Sequence, residues 1–497
     1  VSTVDVPADL APGRSVANPA ARGLAAVMFA LLLSQFVGNM NATVITTALP
    51  TVIDSLGGTT VQYSWVMTAT VLGMTASTPI WSRLADVRNP KLLMQLGIGI
   101  FVIGALGAGL AQDPIMLIVA RAVTGIGLGG MISLVQVILA LLVAPRQRGR
   151  YMAALSAVQL VATLGGPFIG GVLVDVPWAG WRWCFLVGVP IAIAASIVLQ
   201  FTLKLEARGG RAQIDYAGAV LIATGIPLVL IWASMVQGSF TFLSLPSLLM
   251  LGGGVLLLIA AVIVELKVRK PIVPLRMLAQ RVPLLATIAS LSVGSTMFGG
   301  SIFLSQYFQY GRGLTPTQSG LLLVTMALGT VAASFGAGWL ISRTAKLKAV
   351  LVVGMSLLVA ATALLATIGP ETPIALVAVF LFLDGVGVGA TSQYLVLAVQ
   401  NVVGIGEVGA ASGGIAFFRS LAGSLTLAAL GGFLGSRLAD FQGSGVPVAE
   451  SYGLAIPEIF LVTLAIAVPG IIAIALLPRI TLRDTIDLPP GPDRELV

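Results

Sequence analysis

Apolar stretches of about twenty residues recur along the whole chain, each closed by prolines, turn residues or charges. A segment inside hydrocarbon must satisfy its own backbone groups, and a helix needs roughly 20 residues to cross. Fourteen such stretches can be marked: 25–48, 65–81, 92–111, 115–143, 152–174, 183–203, 216–235, 248–264, 284–307, 319–341, 350–368, 374–399, 410–434 and 459–477. Hydrophobic residues make up 57% of the 497 and charged residues only 9%, more apolar surface than a soluble core can hide. The sequence therefore predicts an all-α membrane protein with fourteen transmembrane helices.

Positive charge gives the orientation. With the N-terminus in the cytoplasm, 22 of the 27 Lys and Arg residues fall on the cytoplasmic side, three (Arg182, Arg312, Arg437) fall opposite, and two, Arg121 and Arg419, lie inside spans. An even number of spans returns both termini to the cytoplasm. Residues 1–24 are expected to be an N-terminal tail rather than a cleavable signal peptide, since they hold Pro7, Pro12 and Pro19 and no apolar core. The net charge of +8 comes from short groups between spans rather than a basic stripe, so nucleic acid is not an expected partner.

Composition also removes chemistry. His is absent and Cys occurs once, as Cys184, which excludes imidazole catalysis, His-built metal sites and internal disulfides. Gly125 to Gly130 and Gly385 to Ala390 imitate a dinucleotide fingerprint, but each sits inside an apolar span without the strand that a phosphate cradle requires. No enzyme site is expected.

Ionisable residues within hydrocarbon cost at least ~2.5 to 3.5 kcal/mol on insertion scales, which makes each a functional candidate. Three qualify: Arg121, Asp384 and Arg419. Asp384 begins a stripe continued by Gly387, Thr391 and Tyr394 at helical spacing, the pattern of a cavity wall. It is either a proton carrier or the partner of an arginine, and spacing alone leaves both open. The first span places Gln35, Asn39, Thr43 and Thr46 along one stripe, with Asn41 on another face. Trp232, Met235, Phe298 and Tyr307 are aromatic or soft residues able to line an apolar pocket. Fifth-span Gly166, Pro167, Gly170 and Gly171 join small-residue contacts to a proline bend.

Several segments together resemble the fourteen-helix drug:proton antiporter branch of the major facilitator superfamily. Asn41-Ala42-Thr43-Val44-Ile45 through Ala48-Leu49-Pro50 resembles its first-span motif, and Arg83-Leu84-Ala85-Asp86 the core of its loop motif. Arg121 to Gly127 resembles R-x-x-Q-G-x-G. Gly166 to Gly171 matches G-P-x-x-G-G, Trp181 to Phe185 resembles W-R-W-x-F, and Asp215 to Gly218 resembles the start of the branch's extra helix pair. The resemblance implies a six-helix bundle at 25–204, a two-helix insert at 205–268, a second bundle at 269–480 and a C-terminal tail at 481–497. It further implies export of amphipathic drug- or antibiotic-like molecules from a bacterial cytoplasmic membrane by alternating access. The expected partners are a small-molecule substrate, protons and the bilayer; the chain is expected to act as a monomer, with no cofactor beyond the proton gradient and no metal. Arg83, Asp86 and the fifth-span glycines would carry the conformational motifs. Two departures stand out. The family's first-span Asp is Asn41, and an amide cannot titrate; the motif Gln is Thr124. Asp384 is then the candidate substitute carrier, assisted by Arg121 or Arg419.

Overall fold

The computed structural model describes residues 19–175, 180–203, 215–235, 244–268, 271–314, 316–404 and 406–482, and among them every regular element is helical. Proline, which has no N–H to leave unsatisfied and a φ preset for the first turn, marks where many of the helices begin. Asn89 caps α3 (Pro90–Gly109) and Asp113 caps α4 (Pro114–Leu142), each just before a proline. A reciprocal capping box between Thr59 and Gln62 opens α2 (Thr60–Val87), which follows the long α1 (Pro19–Ser55). Then come α5 (Pro145–Asp175), the short α6 (Trp183–Leu186) and α7 (Gly188–Thr202).

A pair follows, α8 (Tyr216–Met235) and α9 (Leu245–Lys267), then one turn, α10 (Leu275–Leu278). The second set comprises α11 (Arg281–Gln306), which runs into a π turn (Tyr307–Gly311), α12 (Pro316–Thr344), α13 (Leu347–Leu365), α14 (Ile374–Val402), α15 (Val408–Gly443) and α16 (Val448–Leu476). Most of these helices outrun the apolar stretches read from sequence, because polar turns outside hydrocarbon extend the same rods. Among the described residues, eleven helical segments are long and apolar enough to cross a membrane. α2, α5 and α8 do not meet that measure, so the expected fourteen spans are not all confirmed by length and composition.

Packing repeats between the two sets. α1 lies on α5 and α7, α2 on α4, and α3 on α4 and α7; correspondingly α11 lies on α15 and α16, α12 on α14, and α13 on α14 and α16. Small residues set these contacts, as close backbone approach requires in the absence of a hydrophobic force between helices. The two glycine runs that imitate nucleotide motifs are among them: a Cβ on Gly125 would strike the backbone of Thr70 on α2, and one on Gly385 the backbone of Met326 on α12. The sets meet through α2 with α15 and α5 with α12, while α8 packs on α9 and also touches α2 and α15. Helix ends and connecting turns at one end of the molecule, the basic end, carry Arg83, Arg88, Lys91, Arg146, Arg148, Lys346 and Lys348.

Candidate functional site

The two helix sets are joined at the basic end by polar contacts. Asp86, at the foot of α2, accepts from the backbone N–H groups of both Gly409 and Ala410 at 2.8 Å. Those are first-turn donors of α15, whose own Glu407 provides no side-chain cap, so a carboxylate from the other set caps the helix and meets the positive end of its dipole. Arg83 stands 3.4 Å from the same carboxylate. A second link starts from Arg148. Its guanidinium donates to the carbonyls of Val143 and Ala140 at the end of α4, each at 2.6 Å, and to Gln400 Oε1 on α14 at 3.0 Å. Burial pulls Arg148 down to about 10, still charged at neutral pH. Gln400 in turn donates to Ser412 on α15 at 2.8 Å, and Gln136 donates to Gln393 at 2.8 Å. α5 and α12 touch backbone to backbone, since a Cβ on Gly149 would stand 2.9 Å from the carbonyl oxygen of Gly338.

Deeper in, Arg121 on α4 is 1% exposed and donates to Asn41 Oδ1 on α1 at 2.8 Å, with its charge 5.9 Å from the Phe185 ring. Its Nε has no acceptor. Asp384 on α14 is 2% exposed and its Oδ2 has no hydrogen-bond partner; Gly300 of α11 lies alongside. Arg419 is half-buried and donates to the Ser392 carbonyl at 2.7 Å. Neither arginine is paired with Asp384 among the described ion pairs. The structure thus brings Arg121 to Asn41 and leaves Asp384 apart from both cations.

The expected cavity residues scatter. Asn39 donates to its own helix at Gln35 O, and Thr43 bonds to Asn39 O and across to Ala162 O on α5, where Gly166 admits it closely. Gly170 receives the Cys184 thiol at 3.7 Å. The stripe below Asp384 is filled by helix contacts: Gly387 packs on Leu358, Thr391 bonds back to Gly387 O, and Tyr394 is fully buried at the basic end, donating to Ser334 O at 2.6 Å and reaching Gly149 O at 3.4 Å. Tyr307 donates to Gly369 O at 2.6 Å, tying the π turn to the α13–α14 loop. Trp232 donates to Ser247 at 2.8 Å and so joins α8 to α9. The side chains of Thr46, Pro167, Phe298 and Met235, and the surroundings of Gly171, lie outside the described residues. Arg148, Gln136, Gln393 and Gln400 were not singled out from the sequence, where Arg148 reads only as one more loop charge.

The family model of the Major Facilitator Superfamily matches residues 31–427. An uncharacterised MFS-type transporter of Mycobacterium tuberculosis (strain ATCC 25618 / H37Rv) is 31% identical over 97% of this chain and 73% of that protein. The efflux pump dotC of Dothistroma septosporum (strain NZE10 / CBS 128990) is 30% identical over 82% of the chain and 70% of its own length. The multidrug transporter protein MdtP of Bacillus subtilis (strain 168) is 26% identical over 82% and 74%. In fold, the chain is similar to the human organic anion transporter MFSD10 (TETRAN), with a TM-score of 0.62 at 15% identity over 90% of this chain and 100% of that one. A bacterial homologue of the iron transporter ferroportin, in an outward-facing state, gives 0.59 at 16% identity over 90% and 98%.

Proposed function

Since this chain belongs to the Major Facilitator Superfamily, whose members matched here are transporters and not enzymes, we propose that it is a secondary exporter of amphipathic drug- or antibiotic-like small molecules that works by alternating access in exchange for protons. In this reading fourteen helices cross a bacterial cytoplasmic membrane, 25–204 and 269–480 are the bundles that rock, 205–268 is an insert, and the basic end and both termini face the cytoplasm. The contacts of Asp86, Arg148 and Gly149 are then the closed inner gate. Release of the Asp86 cap from α15 would let a substrate enter from inside.

The observation that carries proton exchange is Asp384, a carboxyl buried in the bundle with an oxygen that no donor satisfies. A lone buried charge is expensive, and a proton is the simplest counter-ion for it. One proton moved through ~100 mV supplies about 2.3 kcal/mol, enough to drive a neutral substrate uphill. The test is substrate-induced proton release from purified protein, comparing the unaltered chain with D384N across cationic and neutral antibiotics. Release that vanishes in D384N while binding persists is the expected result; a D384N protein that still exports against a gradient overturns the assignment. A second reading, an uncoupled uniporter or a lipid or metabolite carrier, is favoured by Asn41, an amide where the family places a titratable Asp. No proton release by the unaltered protein, with binding intact, would select it.

A further inference from the structure

Two acids meet at the base of the α8–α9 pair, and neither belongs to the gate or the transport path described above. Asp215 is 7% exposed and Glu265 2%. Asp215 Oδ1 accepts from Gly218 N at 2.8 Å, and Glu265 Oε1 accepts from Ile272 N and Val273 N at 3.1 and 3.2 Å. The second oxygen of each, Asp215 Oδ2 and Glu265 Oε2, is buried without a hydrogen-bond partner. The two carboxyls converge on one point: a Cβ added to Gly218 would collide with Asp215 Oδ2 and stand 3.0 Å from Glu265 Oε1.

We propose that Asp215 and Glu265 form a one-proton site at the foot of the insert, and that its occupancy sets how firmly the basic end closes. Two negative charges side by side in a dry site repel strongly, because little dielectric screens them. One proton shared between them leaves a single charge, and among the described residues Arg83 of α2 is a cation within electrostatic reach of Glu265 to balance it. Only two oxygens remain free, too few for the six or more ligands that Mg²⁺ or Ca²⁺ requires, so the proton is the occupant that fits. Among the described residues, the other charged groups carried by the surrounding elements are engaged or turned outward. Asp86 is held by the α15 amides, Arg276 of α10 donates to Leu266 O at 2.5 Å, and Lys267 of α9 and Glu407 before α15 are exposed. Lys204, Glu206, Arg208, Arg211, Arg269 and Lys270 lie outside the described residues.

The site sits where it can act. α8 packs on α2 and on α15, the two helices that Asp86 joins, and Arg83, 3.4 Å from Asp86, is also within electrostatic reach of Glu265. Loss of the proton puts a second, unbalanced negative charge beside α2 and draws Arg83 from Asp86. The closed form is therefore the one that holds the proton, and a rise in pH at the basic end loosens it. The closed-to-open ratio falls by up to about tenfold per pH unit for a single linked proton.

The inference uses the alternating-access reading only for its consequence, and its test reads the gate rather than transport. Spin labels on cysteines placed at Arg88 and Gly404, both exposed at the basic end, in a C184S background report the closed and open distances between about pH 5.5 and 8.5. The expected result is a closed fraction that falls as pH rises, and that becomes flat to within about twofold in E265Q and in D215N. Each amide keeps the carbonyl oxygen that accepts the backbone N–H, so folding is preserved while the shared proton is removed. The same measurement in D384N separates the two proposals, since the pH response persists there if it belongs to the insert. A flat profile in the unaltered chain, an unchanged profile in both amide variants, or a profile abolished by D384N overturns the proposal.

Discussion

Asn41 offers Arg121 one neutral acceptor at 2.8 Å, and the guanidinium keeps an unused Nε beside it. An aspartate at the same place would turn this bond from a cation on a neutral acceptor into a full ion pair. N41D is accordingly expected to add a titratable group next to a fixed cation and to raise the number of protons released per substrate bound, by up to one; proton release scored against substrate binding in the same sample measures it. No change in that ratio would mean that the Arg121 site takes no part in coupling. The suspects at this scale were legible in the sequence, because a charge inside an apolar run is conspicuous. Their partners were not. Asn41 and Arg121 are 80 positions apart, and Asp384 was as free on paper to pair with Arg419 as to stand alone. Pairing across helices depends on rotation about each axis, which hydropathy does not record. The same holds for Tyr394, which shares a helical face with Asp384 but ends at the gate, bonded to Ser334 and Gly149.

Among elements, α5 and α12 approach backbone to backbone at the gate, with glycine on both sides. A side chain at Gly338 would enter the space of the Gly149 backbone, and neither helix can yield without separating. Overpacking of this kind costs about 1–3 kcal/mol. In the proposed cycle only the closed form contains the contact, so G338V should lower the closed-to-open ratio roughly five- to a hundredfold, with the helical content and thermal midpoint of the detergent-solubilised protein little altered. Inter-bundle distances at the basic end provide the readout, and a variant that closes as well as the parent refutes the role given to this contact. Helix positions followed closely from hydropathy where a rod leaves an apolar face exposed, as for α3, read as 92–111 and found at Pro90–Gly109. α2 and α5 fall short of the length-and-composition measure because their Ser, Thr and Gly content weakens the apolar signal. Those helices meet the opposite set at the gate, and polar or small residues are what such a contact demands.

For the molecule as a whole, the alternation of basic and non-basic loops predicts which end meets which compartment. A cysteine at Gly313, exposed at the end remote from Lys346, should react with a membrane-impermeant maleimide on intact cells, in a C184S background. A cysteine at Lys346, exposed at the basic end, should react only after permeabilisation. The reverse pattern would invert the proposed direction of transport. The repeated pairing of α1–α7 and α11–α16 was implied by family resemblance rather than by any periodicity of single residues. The insert breaks that repeat. α8 touches α2 and α15 at once, yet the rocking cycle proposed above would part those two helices, and one rigid rod cannot travel with both. At every stroke of such a cycle one side of α8 would be peeled from its neighbour and rewetted by acyl chains, which would flow in and be squeezed out again. Turnover would thereby be tied to the fluidity of the surrounding bilayer, through a surface that the cargo never meets.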